Sequence, residues 1–157
     1  MLLGKRTLWP YYQCGNCGCV QLANVPENLS DYYADDYPIH HPRLEDRTPL
    51  LRRIALRVRA HYVLTGRGQV GKLLCRLKGP PMFGQDIMKE FGIGLHDPIL
   101  DVGCGSGDRL RQLAILGFTN LAGQDLFCEP KGLAEYGIRF FAEPLFARST
   151  PWLLRIT

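Results

Sequence analysis

The chain has 157 residues, 46% hydrophobic and 22% charged, a balance that builds a globular core and argues against disordered and fibrous classes. No apolar run approaches the roughly 18 to 20 residues that span a bilayer, and Met1 to Pro10 lacks the apolar centre of a secretory signal, so the expectation is a cytoplasmic protein without a membrane span. The formal net charge of +4 excludes the extreme polyanion and polycation classes.

Residues 1–41 are rich in turns and aromatics: Trp9-Pro10-Tyr11-Tyr12, then Cys14-Gly15-Asn16-Cys17-Gly18-Cys19, then Val20-Gln21-Leu22 with the alternation of a strand. The pattern predicts a small hairpin module. Of six cysteines, three crowd into Cys14, Cys17 and Cys19, while Cys75, Cys104 and Cys128 are scattered. That distribution fits a metal site or structural thiols better than a disulfide set. Cys14-x-x-Cys17 is half of a zinc knuckle, because tetrahedral zinc takes four ligands and one turn supplies two thiolates. Cys19, His40 or His41 are the candidates for the rest, against the plain alternative of a reduced thiol hairpin. Tyr32, Tyr33 and Tyr37 either stack on a sugar or base or cover a core short of volume.

Residues 42–95 read as a basic helical linker. Beyond Pro42 and Pro49, Leu50, Leu51, Ile54, Ala55 and Val58 recur at helical spacing, with Arg52, Arg53, Arg57 and Arg59 mostly off that face. Gly66, Gly68 and Gly71 are expected to interrupt the helix, Gly79-Pro80-Pro81 to break the chain, and a weaker helix to run from about Gln85 to Phe91. Residues 41–80 hold ten Lys and Arg against Glu45 and Asp46, a local +8, while the remainder carries −4. The arginine face either steers an acidic or nucleotide-activated substrate or is simply solvated. By itself this asymmetry is too modest to indicate nucleic acid.

From residue 96 to 157 the pattern changes to alternating strand and helix, the signature of a parallel α/β sheet. Ile99-Leu100-Asp101-Val102 is a short apolar strand, and Gly103-Cys104-Gly105-Ser106-Gly107 a tight turn. Leu110, Leu113, Ala114 and Leu116 line a helix that ends at Gly117. A second strand at about Asn120 to Asp125, a short helix at Lys131 to Tyr136 and a third strand at Ile138 to Phe141 follow. Ser149 to Thr157 gives no clear element. The predicted class is therefore α/β, the first strands of a Rossmann-like doubly wound sheet, preceded by a zinc-ribbon-like hairpin and a helical linker.

A strand that delivers Asp-Val-Gly-Cys-Gly-Ser-Gly into a helix has a chemical use. Glycines let backbone approach a ligand, and the helix start offers unpaired N–H groups to an anionic part of it. Asp125 ends the next strand, 22 residues after Gly103, close to the ~20-residue spacing at which a Rossmann carboxylate meets ribose hydroxyls. The third glycine comes one residue earlier than in the dinucleotide fingerprint Gly-x-Gly-x-x-Gly, and Asp101 stands two residues before the first. That spacing departs from a nicotinamide-dependent oxidoreductase.

In these residues the chain resembles class I S-adenosylmethionine-dependent methyltransferases, whose first motif reads as Asp101-Val102-Gly103-Cys104-Gly105-Ser106-Gly107 does. The resemblance implies that Gly103, Gly105 and Gly107, with Cys104 in the same turn, hold the methionine part of S-adenosylmethionine. It further implies that Asp101 lies near the cofactor's ammonium group and that Asp125 binds its ribose. Cys14-Gly-Asn-Cys17-Gly18, Pro26 and Tyr32-Tyr33 are similar to the leader of bacterial methyltransferases acting on sugars and surface polysaccharides, which implies zinc at Cys14 and Cys17. That family usually carries an earlier Cys pair, so the amino end looks shortened. The acceptor implied is a carbohydrate or small molecule. The family's acidic, His-containing motif after the third strand has no counterpart between Ala142 and Thr157. The expectation is thus a cofactor-binding half with little or no turnover, no legible catalytic base and a first strand left at the sheet edge. A different class of reading is a non-catalytic interaction module, a zinc-ribbon-like hairpin with a basic segment that docks on nucleic acid or a protein partner.

Overall fold

Trp9 to Leu22 folds as the alternation predicts. In the computed structural model, which describes residues 8–27, 48–81, 85–128 and 130–144 and gives backbone alone over 85–87, β1 (Tyr11–Gln13) pairs antiparallel with β2 (Val20–Leu22). Tyr12 stands opposite Gln21, and Gln21 donates a side-chain hydrogen bond to the Tyr12 hydroxyl. The Cys14–Cys19 loop closes on itself: Cys14 N–H donates to Cys19 O at 2.8 Å and Gly18 N–H to Cys14 O at 2.9 Å. Gly18 has φ +74°, a left-handed conformation that a side chain would strain. Tyr32, Tyr33, Tyr37, His40, His41 and the 149–157 tail lie outside the described residues.

The chain divides into two units, Met1–Tyr37 and Pro38–Thr157. In the second, α1 (Leu50–Thr65) ends at Gly66, whose left-handed backbone lets its N–H reach Tyr62 O. The glycine-rich stretch that follows holds a second helix, α2 (Gln69–Lys78), and so corrects the expectation that Gly71 interrupts. Gly71 is buried inside α2, where a Cβ would lie 2.5 Å from Tyr62 Cβ and 2.7 Å from the Val58 carbonyl oxygen. Its missing side chain is what lets α2 close on α1. The weaker helix is the short α3 (Gln85–Glu90).

β3 (Ile99–Val102), β4 (Leu121–Gln124) and β5 (Arg139–Phe141) form a parallel sheet in the order β3-β4-β5. Between β3 and β4 runs α4 (Asp108–Leu116). The predicted helix over 131–136 is instead a single 3-10 turn, Ala134–Tyr136. The architecture is mixed α/β: a small antiparallel hairpin, and a three-stranded parallel sheet with helices.

Three Gly-apolar pairs stop helical segments in the same way. Gly92, Gly117 and Gly137 take positive φ, and the residues after them donate backward, Ile93 to Met88 O, Phe118 to Leu113 O and Ile138 to Leu133 O, at 2.7 to 3.1 Å. These are Schellman stops, in which the residue beyond the glycine turns its apolar side chain inward. Phe118 and Ile138 duly join a core with Leu110, Ala114, Leu116, Leu121 and Leu133. Ala60 of α1 belongs to the same cluster, and Arg57 Nε donates to Ile115 O at 3.3 Å. The segment read as a linker thus packs against α4. Leu110 and Leu121 are fully buried, each worth about 1.5 to 3 kcal/mol in removal from water.

Candidate functional site

Parallel register decides which residues meet at the carboxyl ends of the strands. Val102 stands opposite Gln124, so the next residues, Gly103 and Asp125, emerge side by side. The Gln124 carbonyl accepts from Gly103 N–H at 2.7 Å and from Cys104 N–H at 3.1 Å, and Asp125 N–H donates to Phe141 O at 3.2 Å. From this frame the chain turns through Gly103, Gly105 and Gly107 at φ +72°, +52° and +75°. All three occupy the left-handed region that disfavours any residue with a Cβ. At Gly107 space is also decisive, because a Cβ would sit 2.7 Å from Leu133 Cδ2, whereas the Cβ position at Gly103 has open space around it.

Asp125 is the clasp of the turn. Its Oδ2 accepts from Gly105 N–H at 2.9 Å. Its Oδ1 accepts from Phe127 N–H at 2.8 Å and Cys128 N–H at 3.0 Å, which folds the chain after β4 back around the carboxylate. Asp101 sits at the end of β3, half-buried. Burial pushes its carboxyl above the usual range and the Asp125 charge adds to the rise, while Arg109 opposes it. A carboxylate in that position favours a cationic neighbour.

Cys104 has a different role from its glycine neighbours. Its Sγ lies 2.8 Å from where a Cβ on Gly123 would be, so the thiol fills the layer between the turn and β4. Burial, reinforced by Asp101, Asp125 and Cys128, pushes that thiol up to about 12. The side chain is therefore core, and only the Cys104 backbone belongs to the turn surface.

A buried arginine completes the support. Arg111 is buried and donates from Nη1 to Ser106 O and to Asp108 Oδ1, both at 2.9 Å, and from Nη2 to Lys131 O. It joins the glycine turn, the first turn of α4 and the chain beyond β4. Arginine is normally exposed unless paired, so nothing but the Asp108-x-x-Arg111 spacing signals this role in the sequence.

In the hairpin, the Cys17 N–H, then the Asn16 N–H and the Cys17 thiol, point at the Cys14 sulfur and hold its thiol below the ordinary value. Both Cys14 and Cys17 are exposed and free. Among the described residues no group of three or more His, Cys, Asp or Glu is placed to hold a metal. The reactivity order follows from thiolate fraction: iodoacetamide at neutral pH should modify Cys14 first and Cys104 last. Peptide mass spectrometry over a time course checks this, and early loss of the Cys104 thiol would contradict the buried placement.

A cavity of about 620 Å3 lies elsewhere, between α1, the start of α2 and the Gly117–Thr119 stop of α4. The glycine turn opens at the other end of α4, about 13 Å away along the helix axis. Among the described residues no helix is long and apolar enough to cross a membrane. Comparison with known proteins finds no matching family model, no matching curated protein and no matching solved structure.

Proposed function

We propose that the second unit binds S-adenosylmethionine at the carboxyl ends of β3 and β4, against the glycine turn and Asp125, as the cofactor-binding part of a Rossmann-like methyltransferase. The observation that carries this reading is the bond from Gly105 N–H to Asp125 Oδ2 at 2.9 Å, formed where three positive-φ glycines follow Asp101. A turn with glycine at every other position lies beside a carboxylate that still has lone pairs to spare. Each carboxylate oxygen accepts about two bonds, so Oδ2 retains capacity for a ribose hydroxyl while it clasps the turn. Leu126 and Phe127, both exposed, offer apolar surface next to that carboxylate for a flat base.

Asp101 supplies the complementary charge for the ammonium of the methionine moiety. Methyl transfer is a direct displacement from sulfonium to acceptor, so the protein's contribution is to align the two and exclude water. The acceptor class, a carbohydrate or small molecule, rests on the resemblance of the leader, and zinc at Cys14 and Cys17 rests on the same resemblance.

The Asp101 assignment gives a pH test. Its carboxyl is raised by burial, so on acidification it protonates earlier than an ordinary carboxyl, and protonation removes the partner of the ligand's ammonium. Affinity for S-adenosylhomocysteine, which keeps that ammonium, should therefore fall as pH drops through the raised value, and Asp101→Asn should flatten the profile. Titrations from pH 7.5 down to the acid limit of the folded state measure this. A wild-type profile as flat as that of the variant would remove Asp101 from the site.

A further inference from the structure

We propose that the α1–α2 hairpin seats the protein on an anionic lipid surface. From Thr48 to Pro81 the chain carries eight Lys and Arg and no Asp or Glu. Six of the eight, Arg52, Arg57, Arg67, Lys72, Arg76 and Lys78, are exposed. An exposed segment kept in water for solubility alone mixes both signs; this one does not.

The packing fixes which side of α2 looks outward. Gly71 lies against Tyr62 and Val58, and Cys75 Sγ approaches Arg59 O at 3.8 Å, so the Gly71/Cys75 side is the one in contact with α1. At about 100° per residue, Leu73 falls on the far side, with Val70 and Leu77 beside it. These three are 64%, 57% and 71% exposed in the order Val70, Leu73, Leu77. Lys72 and Arg76 form the adjoining strip. On α1 the exposed apolar residues Leu50, Leu51 and Ile54 add to the same hairpin.

An apolar row bordered by a row of cations is the pattern of a helix lying in a bilayer interface, with the row in the acyl boundary and the cations among anionic headgroups. A nucleic acid uses the cations, but its phosphate backbone gives an apolar row nothing to bury against. A membrane uses both. The docking goes beyond cofactor binding and does not require it.

The test is cosedimentation of the full chain with vesicles of phosphatidylcholine containing 30% phosphatidylserine, as a typical anionic composition on the order of cytoplasmic leaflets. Pure phosphatidylcholine vesicles and duplex DNA are run beside them. The proposal expects binding to the anionic vesicles, weakened about tenfold or more on pure phosphatidylcholine and again at high salt. Leu73→Glu/Leu77→Glu and Lys72→Glu/Arg76→Glu should each lose about tenfold or more while keeping the parent's circular dichroism. Leu73→Ser/Leu77→Ser repeats the first test without added charge. Absence of binding to the anionic vesicles by the folded parent would overturn the proposal. So would equal binding by the folded leucine variants, or stronger binding to the DNA than to the vesicles.

Discussion

Asp125→Ala is expected to lower stability by about 2 kcal/mol and to weaken binding of S-adenosylhomocysteine about tenfold or more. The two effects have different origins. The Gly105 N–H is in a buried residue and donates to Asp125 Oδ2, so removing the acceptor leaves a buried donor unsatisfied, at about 1 to 3 kcal/mol. The Phe127 and Cys128 N–H groups lose Oδ1 as well, but water reaches that side and replaces part of the loss. The ligand loses charge-assisted bonds to ribose, worth about 1.5 to 3 kcal/mol each. Asp125→Asn separates the contributions: its amide oxygen still serves Phe127 and Cys128, while its NH2 faces the Gly105 N–H donor to donor. It should therefore be more stable than the alanine variant and bind no better. Denaturant unfolding and calorimetry measure the pair. A folded Asp125→Ala protein with unchanged affinity would reduce Asp125 to a turn-forming residue.

The second large effect is at Leu110. Leu110→Ala should cost about 3 kcal/mol, within the span of roughly 2 to 5 for such truncations in well-packed cores. Leu110 is 0% exposed and its Cδ1 lies 2.8 Å from the Cβ position of Gly123, so it holds α4 against the middle strand of the sheet. The gap left behind has Cys104 and β4 on its walls, and the close approach at Gly123 leaves little side chain to relax into it. For a unit of this size the melting temperature should drop by about 10 °C. Scanning calorimetry reads this directly, and a shift of only a degree or two would mean that α4 is held by contacts other than this core.

The parts of the fold that could be read from the sequence were those governed by local rules. Ile99-Leu100-Asp101-Val102 is short, apolar and followed by glycine, and Gly117 stands where a helical stripe ends. The hairpin announced itself by aromatics before the Gly-Cys turn and by the alternation of Val20-Gln21-Leu22 after it. Asp125 was singled out by its spacing of 22 residues after Gly103, and the parallel register of β3 and β4 is what brings it beside the turn. Gly71 misled because glycine has two uses with one appearance in sequence, chain breaking and close packing. Only the partner surface of Tyr62 and Val58 tells them apart. Arg111 was missed for the opposite reason: a charged residue is expected outside, the Asp108-x-x-Arg111 spacing is its one signal, and its burial depends on three acceptors at Ser106, Asp108 and Lys131 that come together only in the folded chain. Cys104 belongs to the glycine motif by position and to the core by orientation, and sequence carries position alone.

Titration calorimetry of the purified full chain with S-adenosylhomocysteine and, separately, with NAD tests the central claim most directly. Both ligands carry an adenosine whose ribose a strand-end carboxylate can bind, so they differ in what the glycine turn and Asp101 must accept. The cofactor reading predicts saturable one-to-one binding of S-adenosylhomocysteine, weakened about tenfold or more in Asp125→Ala, and far weaker binding of NAD. Binding of NAD with no measurable heat from S-adenosylhomocysteine, in protein shown to be folded, would contradict it.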